Sequence, residues 1–215
     1  MSIKAIKIGN FTVDSKKIFR FLTEENQQTD ALKMGIQPFV LQTHNELILI
    51  DAGIDSCENS SQLLMQALEN NNINPSSITK IVLSHLHKDH LEGLAYFENN
   101  RWHTYFPQAT IFVQQREYDF AIGQTTYAYN QSLLHDLKSW PNIVWLTEDK
   151  GQIVEELRFE VTGGHSPFHQ VFWIHTSDGN FFYGGDNLPT QKYLQTSIAF
   201  KTDFDGKKAR SLRKF

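Results

Sequence analysis

Ile78-Thr79-Lys80-Ile81-Val82-Leu83-Ser84-His85-Leu86-His87-Lys88-Asp89-His90 is the stretch on which the reading of this chain turns. Its first seven residues are rich in β-branched side chains and read as a buried strand. His85, His87, Asp89 and His90 follow directly. In an extended segment side chains alternate, so His85, His87 and Asp89 lean one way and Leu86 and Lys88 the other. A turn into a helix at Asp89 swings His90 back toward the same point. Imidazoles with a carboxylate suit a borderline divalent ion such as zinc. Residues 91–97 are expected to form a short helix. The histidines would then sit on a strand-to-helix loop, where rigid scaffolds carry their chemistry. Histidines on an ordinary solvated loop do not usually come with an aspartate at such spacing.

The whole chain sets the bounds. At 215 residues it is long enough for one domain with a substantial core. Its formal charge of −4 leaves no nucleic-acid footprint. No apolar run reaches membrane-spanning length, and the first residues lack a basic-then-apolar signal pattern. A cytoplasmic location is expected, with neither membrane nor nucleic acid as partner. The single cysteine, Cys57, excludes an internal disulfide and a thiolate-rich metal site. There is no internal repeat and no low-complexity linker, so residues 1–215 read as a single domain.

His-x-His-x-Asp-His after a hydrophobic strand resembles the signature of the metallo-β-lactamase superfamily. Two strand-rich halves, each interrupted by helices, fit the fold that resemblance implies. It is an α/β (α+β) architecture, a four-layer αββα sandwich with a metal site at one edge between the sheets. The resemblance also implies roles. His85, His87 and His165, the last in the Gly163-Gly164-His165 turn, hold a first ion. Asp89 and His90 hold a second, and Asp186 after Gly184-Gly185 bridges the two. Asp51 supports the site from behind by accepting a histidine N–H. Tyr193 is a weak candidate for binding the substrate carbonyl. His169 is expected to pack or hydrogen-bond, and His44, His103 and His135 are expected to lie outside the ligand set. Family members continue through a late helix and a last strand to one more histidine ligand. The chain is therefore expected to be truncated, to lack that last strand and helix, and to have a weaker second metal position. An unpaired sheet edge would invite association, a homodimer in the simplest case.

Read in order, residues 3–8, 11–13 and 17–22 are strand candidates, and residues 24–35 a polar, irregular connection or an active-site cover. Residues 38–43 and 46–50 form a hairpin around His44-Asn45. Residues 59–72 form a helix capped by Ser60 or Ser61. Residues 101–107 are irregular, 109–114 a strand, 116–122 a short helix. Residues 123–140, with Tyr127, Tyr129, His135 and Trp140, are expected to wall a substrate pocket. Strands follow at 143–146, 157–162, 171–176 and 180–183, the last two joined through Ser177-Asp178-Gly179. Residues 201–215 open a basic helix.

Zinc is the favoured cofactor, as one or two ions, with manganese or iron tolerated by the same donors. Such a site makes hydroxide from bound water near neutral pH, and Asp89 can accept a proton or orient the nucleophile. The expected function is metal-dependent hydrolysis of a small uncharged ester or lactone. Segment order and the Phe106-Pro107-Gln108-Ala109 approach to a strand resemble acyl-homoserine lactonases and their esterase and phosphotriesterase relatives. A glyoxalase II-like thioesterase is the alternative, followed by a degenerate ligand-binding relative. A redox di-iron relative would need a flavin-binding domain.

Overall fold

The computed structural model describes residues 1–57, 60–177, 179–196 and 198–213. Asn59, where the first helix was expected to begin, Asp178 of the expected turn, and the last two residues of the basic tail lie outside the described residues.

Two sheets face each other. The larger has six strands in the order β1 (Ser2–Ala5), β5 (Phe39–Gln42), β6 (Leu47–Ile50), β7 (Lys80–Val82), β10 (Thr110–Gln114) and β11 (Ile143–Leu146). β6, β7, β10 and β11 run parallel, and β5 pairs antiparallel with β1 and β6. The smaller is an antiparallel meander of β12 (Lys150–Val154), β13 (Leu157–Val161), β14 (Gln170–Thr176) and β15 (Gly179–Tyr183). Alternation along the strands then sorts the side chains. Leu41, Ile48, Ile50 and Val82 of the larger sheet meet Leu157, Phe159, Phe172 and Ile174 of the smaller. Val40, Leu49, Ile81, Ile111 and Val113 point the other way. They pack under helices α1 (Leu63–Asn70), α3 (Gln115–Ala121) and α4 (Gln131–Leu137). Being covered on both faces is why the larger sheet's central strands read as apolar runs such as Leu47-Ile48-Leu49-Ile50. The outer face of the smaller sheet carries Val171, Trp173 and Phe182, which share a cavity of about 200 Å³ with Leu212 and Arg213 at the end of α6 (Gly206–Ser211). This is the four-layer αββα order that the two strand-rich halves implied.

Two smaller sheets differ from the expectations. β4 (Leu32–Ile36) falls in the stretch read as irregular; it pairs with β2 (Gly9–Val13), which also pairs with β3 (Phe19–Phe21). Phe11, Val13, Phe19 and Ile36 pack this three-stranded unit onto Ile54 and Leu63. The helix expected over residues 91–97 is only α2 (Lys88–Leu91) and a 3-10 turn, Glu92–Leu94. The chain then enters β8 (Ala95–Glu98), paired with β9 (Arg101–Thr104) in the stretch read as irregular. The two-residue connection, Asn99-Asn100, has φ of 51° and 61°, the left-handed pair that a tight hairpin demands. α1 is not capped by Ser60 or Ser61: it starts after Gln62, with no side-chain cap, and Ser60 instead exchanges backbone hydrogen bonds with Cys57.

Residues 123–140, expected to wall a substrate pocket, do not line the cavity at the metal site. Leu133, Leu134, Leu137 and Trp140 are buried in the main core. Hydrophobic spacing on α4 made it a lid for the larger sheet, and that burial uses its apolar face.

Candidate metal centre

Four strand ends deliver the site. β6 ends at Asp51, which adopts φ of 56° and is buried. The backbone N–H and the Oγ of Ser84, just after β7, donate to Asp51 Oδ1 and Oδ2 at 2.6 and 2.7 Å. Tyr183 hydroxyl, at the end of β15, donates to the same carboxylate at 2.5 Å. His90 Nδ1 lies 2.7 Å from Asp51 Oδ2, so the carboxylate accepts there and turns Nε2 outward. Asp51 therefore stands behind His90, on the side away from its Nε2.

The second delivery is the turn after β13. Gly163 and Gly164 have φ of 62° and 99°, and a Cβ on Gly164 would lie 2.7 Å from Asn187 Oδ1. Only glycine tolerates this turn. It sets His165 Nδ1 2.7 Å from Asp203 Oδ1, while the His165 backbone N–H donates to Asn187 Oδ1 at 3.0 Å. Asp203 has a fully buried side chain and also accepts from the Phe200 N–H. It was read from sequence only as part of a helix opening. No spacing could have joined it to a histidine 38 residues away; the partnership exists only after folding.

The ring nitrogens then converge. His87 Nδ1 is 2.9 Å from His85 Nε2 and 3.0 Å from His165 Nε2. Three imidazoles turned on one point repel one another when charged. Burial, then the neighbouring histidines, hold the protonated forms of His85 and His87 well below the usual range. A cation fits such a lone-pair-rich set. Tetrahedral zinc keeps nitrogens about 3.3 Å apart, close to the spacing found. A second group, His85, His90 and Asp186, lies beside the first, the donor atoms of each group falling within 4.8 Å of one another. Asp186 Oδ1 is 3.2 Å from His90 Nε2, and Oδ2 is 3.1 Å from His165 Nε2. The one carboxylate thus reaches toward both groups. Burial opposes its charge, but His90 and His165 hold it well below the carboxylate range. Burial likewise disfavours the charged form of His90, yet Asp51 and Asp186 raise it overall. Asp89 stands further off, with Oδ2 3.9 Å from His90 Nε2.

His169 is fully buried and donates no atom to either group. Its Nε2 accepts from the Asp186 backbone N–H at 3.2 Å, and burial pushes its pKa down to about 3, as an acceptor requires. His103 stacks on Tyr96 and His135 sits exposed beside Asp136. Glu117 was not singled out from sequence. It is buried behind the site, accepting from Ser166 Oγ at 2.8 Å and Phe168 N–H at 3.2 Å, and burial pushes it up to about 7.

The centre opens into a cavity of about 550 Å³. Asp51, Asp89, His90, His165 and Asp186 line its floor. β4 forms a wall, with Lys17 from the β2–β3 turn. Tyr193, on α5 (Lys192–Gln195), lines it too, its ring between Phe200 and the Arg213 guanidinium. Of the stretch 123–140, Tyr129 alone packs on a site ring, 4.7 Å from His87.

A fold of two facing sheets, with histidines and aspartates gathered at strand ends on one edge, defines a metallohydrolase of one kind. The metallo-β-lactamase superfamily model matches residues 35–215, and the chain belongs to that family, as a hydrolase. The N-acyl homoserine lactonase AiiA of Bacillus thuringiensis subsp. kurstaki is 26% identical over 191 aligned residues, covering 79% of this chain and 70% of that one. A lactonase of Bacillus cereus is likewise 26% identical over 192 residues, covering 80% and 69%. Among solved structures, a probable metal-dependent hydrolase from Staphylococcus aureus superposes with a TM-score of 0.77 at 21% identity, covering 99% of this chain and 82% of that one. The dizinc quorum-quenching lactonase AidC, solved with a product, N-hexanoyl-L-homoserine, gives 0.77 at 21% identity, covering 98% and 80%. No helix among the described residues is long and apolar enough to cross a membrane.

Proposed function

We propose that the protein is a zinc-dependent hydrolase of small esters or lactones, acting at the His85, His87, Asp89, His90, His165 and Asp186 centre. The observation that carries this is Asp186, whose two oxygens face the two donor groups separately. A carboxylate shared between two histidine clusters suits a two-ion site. When bound there, zinc supplies a nucleophile from water at neutral pH and polarises the carbonyl. The chain's own groups do the rest. Asp51 and Asp203 fix the tautomers of His90 and His165 by accepting at Nδ1, leaving Nε2 as the free lone pair. In this reading Asp89, which lines the cavity, takes a proton from the attacking water and passes it to the leaving oxygen. Tyr193 lines the same cavity and in this reading donates to the substrate carbonyl.

The relatives named as homoserine lactonases favour a lactone or ester over a thioester. Zinc-loaded protein offered a panel of homoserine lactones, aryl esters, thioesters and phosphotriesters should turn over lactones or esters best, and chelation should abolish turnover. Preference for thioesters would shift the reading to the glyoxalase II type. Silence across the panel with zinc bound would leave a ligand-binding relative.

A further inference from the structure

The hydrolytic reading leaves one feature of the cavity unused. Its charged lining consists of Lys17, Lys33, Asp51, Asp89 and Asp186, together with His90 and His165. All three carboxylates are engaged. Asp51 serves Ser84, His90 and Tyr183, while Asp186 and Asp89 stand beside the histidines of the floor. Neither Lys17 nor Lys33 has an ion-pair partner among the described residues. With the floor's acids committed to histidines and metal, the wall presents two uncompensated positive charges to whatever lies between.

Lys17 is held there against a local preference. Its φ is 56°, a left-handed conformation uncommon for a lysine. Asp14 enforces it. The Asp14 carbonyl accepts from Lys17 N–H, its Oδ1 accepts from the N–H groups of Lys16 and Ile18, and its Oδ2 pairs with Arg20. Asp14 is thereby used up in building the turn and does not neutralise Lys17. The turn leaves Lys17 half-buried where it lines the cavity. Backbone strain of this sort persists where the surroundings over-determine it, and ligand clamps are one such place. Lys33, exposed on β4, lines the same wall.

We propose that the cavity takes an ester or lactone carrying an anionic group, a carboxylate in the simplest case, at the end remote from the scissile bond, with Lys17 and Lys33 as its recognition residues. This rests on the hydrolase reading above and refines its substrate class. It replaces the expectation of an uncharged substrate, which came from placing residues 123–140 on a pocket wall that they do not form.

Two matched chromogenic esters test it on the zinc-loaded protein: the mono-4-nitrophenyl ester of glutaric acid, which keeps a distal carboxylate, and 4-nitrophenyl valerate, which does not. The wild type should favour the glutarate ester by about tenfold in kcat/KM at low salt, the worth of one charge-assisted contact. In Lys17→Gln/Lys33→Gln the ratio should fall to about one, and Lys17→Arg/Lys33→Arg should restore it. A wild-type ratio of one or below, or a ratio unchanged in the glutamine variant, overturns the proposal. If neither ester is hydrolysed, the hydrolase reading is decided separately by the lactone and ester panel. Calorimetric binding of glutarate against valerate to the same zinc-loaded proteins then decides the role of the lysines. Tighter glutarate binding that the glutamine variant loses supports it, and equal binding of the two acids overturns it.

Discussion

Each of two histidines at the cavity floor is held from behind by a carboxylate on its ring, whereas the wall opposite fixes only the backbone that carries its lysines. Asp51 and Asp203 fix His90 and His165 at 2.7 Å, and both acids are themselves buried and hydrogen-bonded. Lys17 and Lys33 sit on a turn and on β4, where a few backbone bonds to β2 and Asp14 set their positions. A floor built this way specifies one geometry and one chemistry. A wall built this way can change its side chains without disturbing the fold, which suits the part of the site that selects a substrate.

The largest effect should come from the floor. His87→Ala removes the nitrogen shared by His85 and His165. It should lower metal content measured by elemental analysis and reduce kcat/KM on the order of 10³-fold. Full metal content in that variant would show that the floor does not depend on its central ring. One step back, Asp203→Asn keeps the shape at His165 but weakens its orienting partner. Zinc affinity under chelator competition should fall about 10–100-fold. A smaller change than that of Lys33→Gln would mean that the floor is no more tightly held than the wall.

Glu117 gives a pH test of the same rigid region. Its folded pKa of about 7 is above the ordinary glutamate value. The stability it contributes is fully present below about pH 4.5 and is lost as pH rises through about 7, on the order of 3 kcal/mol. Denaturant unfolding at pH 5 and pH 8 should show a fall in the wild type that is smaller in Glu117→Gln. Equal pH dependence in the two proteins would show that Glu117 is not desolvated as its burial implies.

Smaller effects belong to the wall. Tyr193→Phe should lower kcat/KM about threefold, the worth of one neutral hydrogen bond. Tyr127→Ala should change it less than about twofold, because Tyr127 is exposed and does not line the cavity. A large loss on Tyr127→Ala would return residues 123–140 to the pocket wall.

The amino-acid sequence by itself determined the strand before His85, the close-spaced donors from His85 to His90 and the glycine turn at residues 163–164, whereas the roles of His165 and Asp186 were implied by the family resemblance. The first three are local patterns: β-branched residues, alternation, and glycine where the backbone must turn left-handed. Parts of the fold were lost for local reasons too. β4 alternates weakly, and the Asn99-Asn100 hairpin lacks the usual glycine. Only the tertiary structure could bring Asp203 to His165, Glu117 to the loop after it, and Lys17 to the cavity. Those contacts span long stretches of chain, and hydrogen bonding between buried side chains leaves no period or spacing in the sequence to read. The same is true of residues 123–140, whose aromatic content suits a pocket or a core equally. Which one they serve was decided by the sheet that α4 covers.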